Sequence, residues 1–415
     1  MKFRVKHRKI NRVIALGLAL RLLLLVFVMI FSEKISLGFI GSSLDPDDVR
    51  YEAGAKIYAE SAQSVIDPEA FRLAYLQVGD NVGDPTKSVF ETTPLWYWIC
   101  CFLTYVFRTT WSIRLLNILF GCLSIKVIYS FARQFSSERT ALLAGRLMAY
   151  MPYQIFFCCF AYKDQFVLYL TFELFYLAAV FRKNEKLSVS FVIKTAFSVI
   201  ALLLLRSGIA VFTIIIALFI GISTKRKRII RDIVKKKKIS VTLLVLFCVV
   251  GIGLILVKNV NTIIYKVLHY QFRYTFSELK DASINFAVID SPAKIWKLPI
   301  VFLLSIILPI GKYSQYNSWY GIVASLNYIS IPIMIGNAIY LYKHKFDKAS
   351  YYGIMAVYLI SAVASINICR HFYSFLPICY LAYADGYRQF KTIEKRGIIA
   401  GSCIVAAILL CYYYV

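Results

Sequence analysis

Long apolar runs, separated by short clusters of basic residues, recur along this chain from one end to the other. A helix needs about 20 mostly apolar residues to cross the hydrocarbon of a bilayer. The runs that meet or approach that length are 11–32, 111–131, 141–160, 165–181, 188–205, 208–224, 240–257, 320–342, 350–367, 371–386 and 397–415. They predict an all-α, polytopic transmembrane helical bundle of about eleven spans. Two further stretches, 94–107 and 298–311, are short. The first is rich in Trp and Tyr, and the second contains Pro299 and Pro309. Both are expected to lie at the interface or re-enter rather than cross, because aromatic rings favour the headgroup level.

Orientation follows from charge. With the N-terminus in the cytoplasm, the basic segments 133–139, 182–186, 225–238, 343–348 and 388–396 all fall inside, as the positive-inside rule requires. Counting either short stretch as a crossing would put basic loops outside. The outer face then carries a first loop, 33–93, with about half of the 22 acidic residues, and a second large loop, 258–319. Small outer turns hold Lys163-Asp164, Arg206 and Arg370-His371. The predicted organisation is a catalytic membrane domain over 1–386, followed by a basic cytoplasmic loop and terminal helix over 387–415. The expected location is the plasma membrane.

Composition agrees with a lipid solvent. The chain is 60% hydrophobic over 415 residues, with a mean hydropathy of +0.66, more apolar surface than a soluble domain can hide. The net charge of +26 is spread among inner loops, which argues against nucleic acid. Nine of the 10 cysteines sit inside apolar runs, without a C-x-x-C pair, and the 4 histidines are scattered. They read as packing residues, with no zinc motif. Arg21, Arg114 and Arg146 fall within or near apolar runs. Arg114 and Arg146 are expected near helix ends, where a long side chain can snorkel, and Arg21 to face protein.

The sharpest polar cluster is Asp45-Pro46-Asp47-Asp48-Val49-Arg50-Tyr51, shortly after the first span. One carboxylate there can take a proton from a hydroxyl while the guanidinium holds an anionic group. An acidic helix start with an Asp cap would look the same. Lys163-Asp164, Arg206 and Phe90-Glu91 add acids and bases on the same predicted face.

In order and spacing, residues 1–210 resemble the GT-C-type glycosyltransferases that use a polyprenyl-phosphate sugar, among them protein O-mannosyltransferases and the aminoarabinose transferases of lipid A. Pro46-Asp47-Asp48-Val49-Arg50-Tyr51 matches the family's Pro-Asp-Glu-x-Arg-Tyr motif, with Asp for Glu. Phe90-Glu91-Thr92-Thr93-Pro94 resembles its Phe-Glu-Lys-Pro segment, lacking the lysine and one residue longer; Lys87 is the nearby substitute. Arg114-Leu115, the turn 136–139, Ala141-Leu142-Leu143-Ala144, Asp164 and Arg206-Ser207-Gly208 follow the family's order, and Arg370 and Pro377 match more loosely. The resemblance implies inverting transfer of a sugar from a polyprenyl-phosphate donor to a glycan, lipid or protein acceptor on the outer face, in cell-surface glycan or glycolipid assembly. It implies Asp47, Asp48 and Asp164 as catalytic carboxylates. Arg50, Lys87, Arg206 and Arg370 would hold the donor phosphate, with Arg273 a further candidate, and Tyr51 and Glu91 would contact substrate. It implies little or no dependence on metal, a divalent cation being the one cofactor left open. Two rivals are an O-antigen or capsule-type polysaccharide polymerase, resting on later outer arginines, and a lipid-linked sugar flippase. The flippase would need ionisable groups along a central cavity and tolerate change at Asp47.

Overall fold

A computed structural model of the chain describes residues 2–32, 47–78, 94–183, 188–222, 329, 331–343 and 376–414. Among them every regular element is a helix, apart from a single 3-10 residue at 329. These are α1 (Lys2–Ser32), α2 (Asp47–Ser61), α3 (Pro68–Val78), α4 (Pro94–Phe107), α5 (Trp111–Phe135), α6 (Glu138–Tyr150), α7 (Pro152–Phe157), α8 (Asp164–Lys183), α9 (Val189–Ile222), α10 (Ile331–Lys343), α11 (Leu376–Gln389) and α12 (Thr392–Tyr414). Segments Lys9–Val28, Trp111–Phe135, Asp164–Arg182 and Val189–Arg206 are long and apolar enough to cross a membrane. The expected spans 240–257 and 350–367, the stretch 298–311 and the loop 258–319 lie outside the described residues.

The expected span 141–160 is a correction. It is two helices, α6 and α7, broken at Met151, whose backbone is extended (φ −64°, ψ 126°). The cause is Pro152. A proline pushes its predecessor out of the helical region and has no N–H to give to the carbonyl four residues back. That carbonyl belongs to Met148, and it is not left bare. Arg21, fully buried on α1, donates from Nη2 to Met148 O at 3.1 Å and from Nη1 to Ala149 O at 3.0 Å. Its Nε donates to Cys158 Sγ at 3.3 Å. A cation at the C-terminal end of a helix also meets the favourable end of the dipole. Arg21 thus joins α1 to the α6–α7 break. Gly17 and Gly121 make room for it, since a Cβ on Gly121 would lie 2.6 Å from Cys158 Sγ and 3.0 Å from Arg21 Nε.

Helix α9 is a hairpin. Its backbone leaves helical geometry at Arg206 (φ −161°, ψ 84°). The ring of Phe191, near its start, lies 6.2 Å from that of Phe181 on α8, and Gly221, near its end, also adjoins Phe181. Arg206, between them, reaches Asp164 at the opposite end of α8. The chain therefore runs along α8 and back, reversing at Arg206. The sequence places its turn there for the same reason: a charged residue followed by Ser-Gly interrupts two apolar runs.

Helix α4 has 14 residues, about 21 Å of helix, too short for a crossing. It ends at Arg108, which adopts a left-handed backbone (φ 55°), donates to Ala59 O at 2.6 Å and lies over the Tyr105 ring. Helices α2, α3 and α4 pack through aromatic rings. Phe71 stacks on Trp98 at 3.9 Å and meets Tyr97 edge-on at 4.9 Å. Tyr97 lies against Gly54 so closely that a Cβ there would stand 2.0 Å from its Oη and 2.8 Å from Cζ. Gly54→Ala is therefore expected to force α2 off α4 at a cost of about 1–3 kcal/mol. A lowered thermal unfolding midpoint of the purified protein checks it.

Candidate active site

Helix α2 begins with Asp47 and Asp48, so the acidic motif opens a helix, where carboxylates meet the positive end of the dipole. For Asp47, Asp48 and Arg50 the structure describes the backbone alone. Helical spacing puts Asp48 one turn ahead of Glu52, on the same face. Tyr51 is buried, with its ring 6.4 Å from that of Tyr97. Lys87, Glu91, Arg273 and Arg370 lie outside the described residues.

The neighbour of that face is the turn between α7 and α8. Arg114, one turn into α5, donates from Nε to Glu52 Oε1 at 2.5 Å and from Nη1 to Cys159 O at 3.4 Å. Its guanidinium also lies over the Phe160 ring, 5.6 Å from the centroid. Asn117, one turn on, donates to Phe160 O and Tyr162 O. Trp96 of α4 donates from Nε1 to Ala161 O at 2.8 Å. Three side chains from two helices, α4 and α5, thus bind the backbone of 159–162, which satisfies carbonyls that buried irregular chain would otherwise leave bare. The expectation that Arg114 snorkels from a helix end is corrected. It is buried, because Glu52 supplies a countercharge and Phe160 a π-face. Arg146 is exposed.

This tethered turn delivers Asp164 to the first position of α8. Its side chain is 3% exposed, and its Oδ1 accepts from Arg206 Nη1 at 2.9 Å, with Arg206 24% exposed. Two residues read separately from the sequence, one as a carboxylate and one as a phosphate binder, are therefore partners. Among the described residues, Asp164 is Arg206's sole hydrogen-bond acceptor. A guanidinium has five N–H donors in a fixed fork, so most of its donor capacity stays open.

Sequence reasoning named Arg114 but missed its pairing with Glu52. The signal was the position of Glu52 directly after the Asp-Asp-x-Arg-Tyr motif, but its partner is 62 residues away. Asp67, in the same loop, has a separate task. Its Oδ1 accepts from the backbone of Glu69 and Ala70, and its Oδ2 from Gln63. It caps α3, and the backbone N–H of Ala70 above all, with those of Gln63 and Glu69, holds its carboxyl below the ordinary aspartate value. Among the described residues no group of three His, Cys, Asp or Glu side chains is arranged to hold a metal ion.

Residues 91–252 match the family described as dolichyl-phosphate-mannose-protein mannosyltransferase. No curated protein matches the chain. The matched segment contains Arg114, the tethered 159–162 turn, Asp164 and Arg206, while the Asp47-Asp48 motif lies upstream of it. By this likeness the chain resembles, over residues 91–252, the dolichyl-phosphate-mannose-protein mannosyltransferase family, which points to a membrane glycosyltransferase.

Proposed function

We propose that the protein transfers a sugar from a polyprenyl-phosphate donor to an acceptor hydroxyl at the outer surface of the plasma membrane, in the assembly of a cell-surface glycan or glycolipid. The observation that carries this reading is the Asp164–Arg206 pair, 2.9 Å apart at a helix start and a chain reversal. Asp164 fixes one edge of the guanidinium and leaves its other donors for the donor's phosphate. A guanidinium held in advance loses little freedom on binding, and it gains more at the membrane edge than in water. Asp164 thereby becomes a positioning residue for Arg206. Arg50, Lys87 and Arg370 add positive charge around the leaving group, Asp48 supports the carboxylate beside it, and Tyr51 and Glu91 flank the substrate.

In the transfer step Asp47 takes the acceptor's hydroxyl proton. The acceptor oxygen bonds to the anomeric carbon from the face opposite the phosphate. The carbon–oxygen bond to phosphate breaks, and polyprenyl phosphate leaves with its charge met by arginine. Configuration inverts.

The test is to incubate the purified protein with candidate polyprenyl-phosphate sugars and follow release of the lipid phosphate. Activity only on lipid-diphosphate oligosaccharides would favour the polymerase reading instead. Arg206→Ala is expected to weaken donor binding by about tenfold or more, the scale of one charged hydrogen bond, while Arg206→Lys keeps part of it. Unchanged donor affinity in a normally expressed Arg206→Ala protein would reduce Arg206 to a turn anchor.

The same reading places 33–93 outside and 225–238 in the cytoplasm, with the catalytic domain over 1–386 and the terminal segment 387–415 beginning inside. Single cysteines at Ser61 and Lys236, in a cysteine-free background, test this with an impermeant reagent. The Ser61 site is expected to label in intact cells. Labelling of the Lys236 site there would overturn the orientation.

A further inference from the structure

The end of the bundle opposite Asp164 and Arg206 carries a concave site. From Arg114 to Ser136, helix α5 runs roughly 30 Å, and at its far end the turn into α6 packs against α1 and α11. A cavity of about 350 Å³ opens there, lined by Lys9, Ser137, Glu138, Arg139, Leu142 and Arg388. Three cations and one carboxylate face it. The sequence assigns these basic residues only to topology.

Glu138 is the one carboxylate among the lining residues, against three cations. Among the described residues neither Lys9 nor Arg139 makes an ion pair or a side-chain hydrogen bond. The third is held in place: Arg388 donates from Nη1 to Ser137 Oγ. Ser137 also accepts from Thr140 N at 3.3 Å as the cap of α6. The wall behind is braced by Asp385 of α11, which accepts from Ser136 Oγ at 3.1 Å and from Tyr340 Oη at 2.7 Å. The cavity sits where spans end, since Lys9 opens the span Lys9–Val28 and Phe135 closes Trp111–Phe135. That is the level at which hydrocarbon gives way to headgroups. Leu142 gives the site one apolar wall.

We propose that this cavity binds the phosphodiester headgroup of an anionic membrane lipid, with Lys9, Arg139 and Arg388 around the phosphate and Leu142 against the first acyl carbons. The site is distinct from the donor site and independent of its assignment. A soluble phosphate would meet the same cations. The lipid is favoured because the cavity lies at the span ends and has an apolar side.

The experiment uses the full-length protein in detergent, exposed to equal amounts of dioleoylphosphatidylglycerol and dioleoylphosphatidylcholine. Retained lipid is counted by native mass spectrometry. The protein is expected to retain phosphatidylglycerol preferentially. The K9Q/R139Q double variant is expected to lower that retention by about fivefold for each cation removed. The charge-keeping K9R/R139K variant should retain it, as should R146Q, which removes an exposed α6 charge outside the cavity. Equal retention of both lipids by the unaltered protein would overturn the proposal without any variant. Undiminished retention by a folded K9Q/R139Q protein would do the same. Displacement of phosphatidylglycerol by excess inorganic phosphate or ATP would assign the cavity to a soluble phosphate and overturn the lipid.

Discussion

Asp47→Asn is expected to lower the transfer rate by about 10²–10⁴-fold, the usual worth of general-base catalysis. The amide keeps the shape and much of the hydrogen bonding of the carboxylate and loses its basicity. Membrane insertion and donor binding should therefore survive. Asp48→Asn should fall between Asp47→Asn and the unaltered protein, since a neighbouring carboxylate supports the base without taking the proton. The comparison needs a residue in the same loop with no task. Asp67, an apparent choice from sequence, is excluded because it caps α3 through three backbone N–H groups. Glu60 is exposed near the end of α2, and Glu60→Gln should be nearly silent. The measurement is release of polyprenyl phosphate under saturating donor. Equal rates for Asp47→Asn and Glu60→Gln would remove the base assignment and leave the Asp164–Arg206 site to be explained otherwise. A polymerase or a flippase would give no such ranking, as neither needs this carboxylate to accept a proton.

Arg21→Met is expected to destabilise the protein by about 3–5 kcal/mol. Methionine fills much of the volume but donates nothing. The carbonyls of Met148 and Ala149 lose the guanidinium, and Met148 O has no helical substitute because residue 152 is proline. A buried acceptor stripped of its donor costs about 1–3 kcal/mol, and two are stripped together. Arg21→Lys should recover only part, since one ammonium on a flexible stem cannot reproduce the fork. The expected readout is a sharp fall in folded yield and unfolding midpoint. A normal midpoint for Arg21→Met would mean that water or the remaining backbone satisfies the α6 end. Arg21 also donates to Cys158 Sγ, and that thiol donates to Gln165 beside Asp164, so a folded Arg21→Met protein is expected to show at most a modest loss of donor binding beside its large loss of stability.

Periodicity and run length carried the class of this protein. Apolar runs near 20 residues can be satisfied only by helices in lipid, and the described residues are helical as expected. The turn at Arg206 was legible for the same local reason, a charge and a glycine interrupting two apolar runs. So was the shortness of α4. The break at Pro152 was written in the chain as well, but the apolar run continues across it. Hydropathy alone cannot tell a continuous span from two helices whose freed carbonyls are bound by a distant arginine.

What only the tertiary structure decided is who partners whom. Asp164 and Arg206 are 42 residues apart, Glu52 and Arg114 62, and Arg21 and Ala149 128. Residue type announces that a buried charge needs a partner. It does not say which of several charges will be brought within reach, because that depends on how helices pack and where loops return. The sequence by itself determined that this is a helical membrane protein with acids and bases gathered in a few turns. The packing of α5, α8 and the α9 hairpin decided that Arg206 is held by Asp164. It also decided that Arg114 is spent on Glu52 and the 159–162 turn, and that Lys9 and Arg139 are left facing a cavity at the other end.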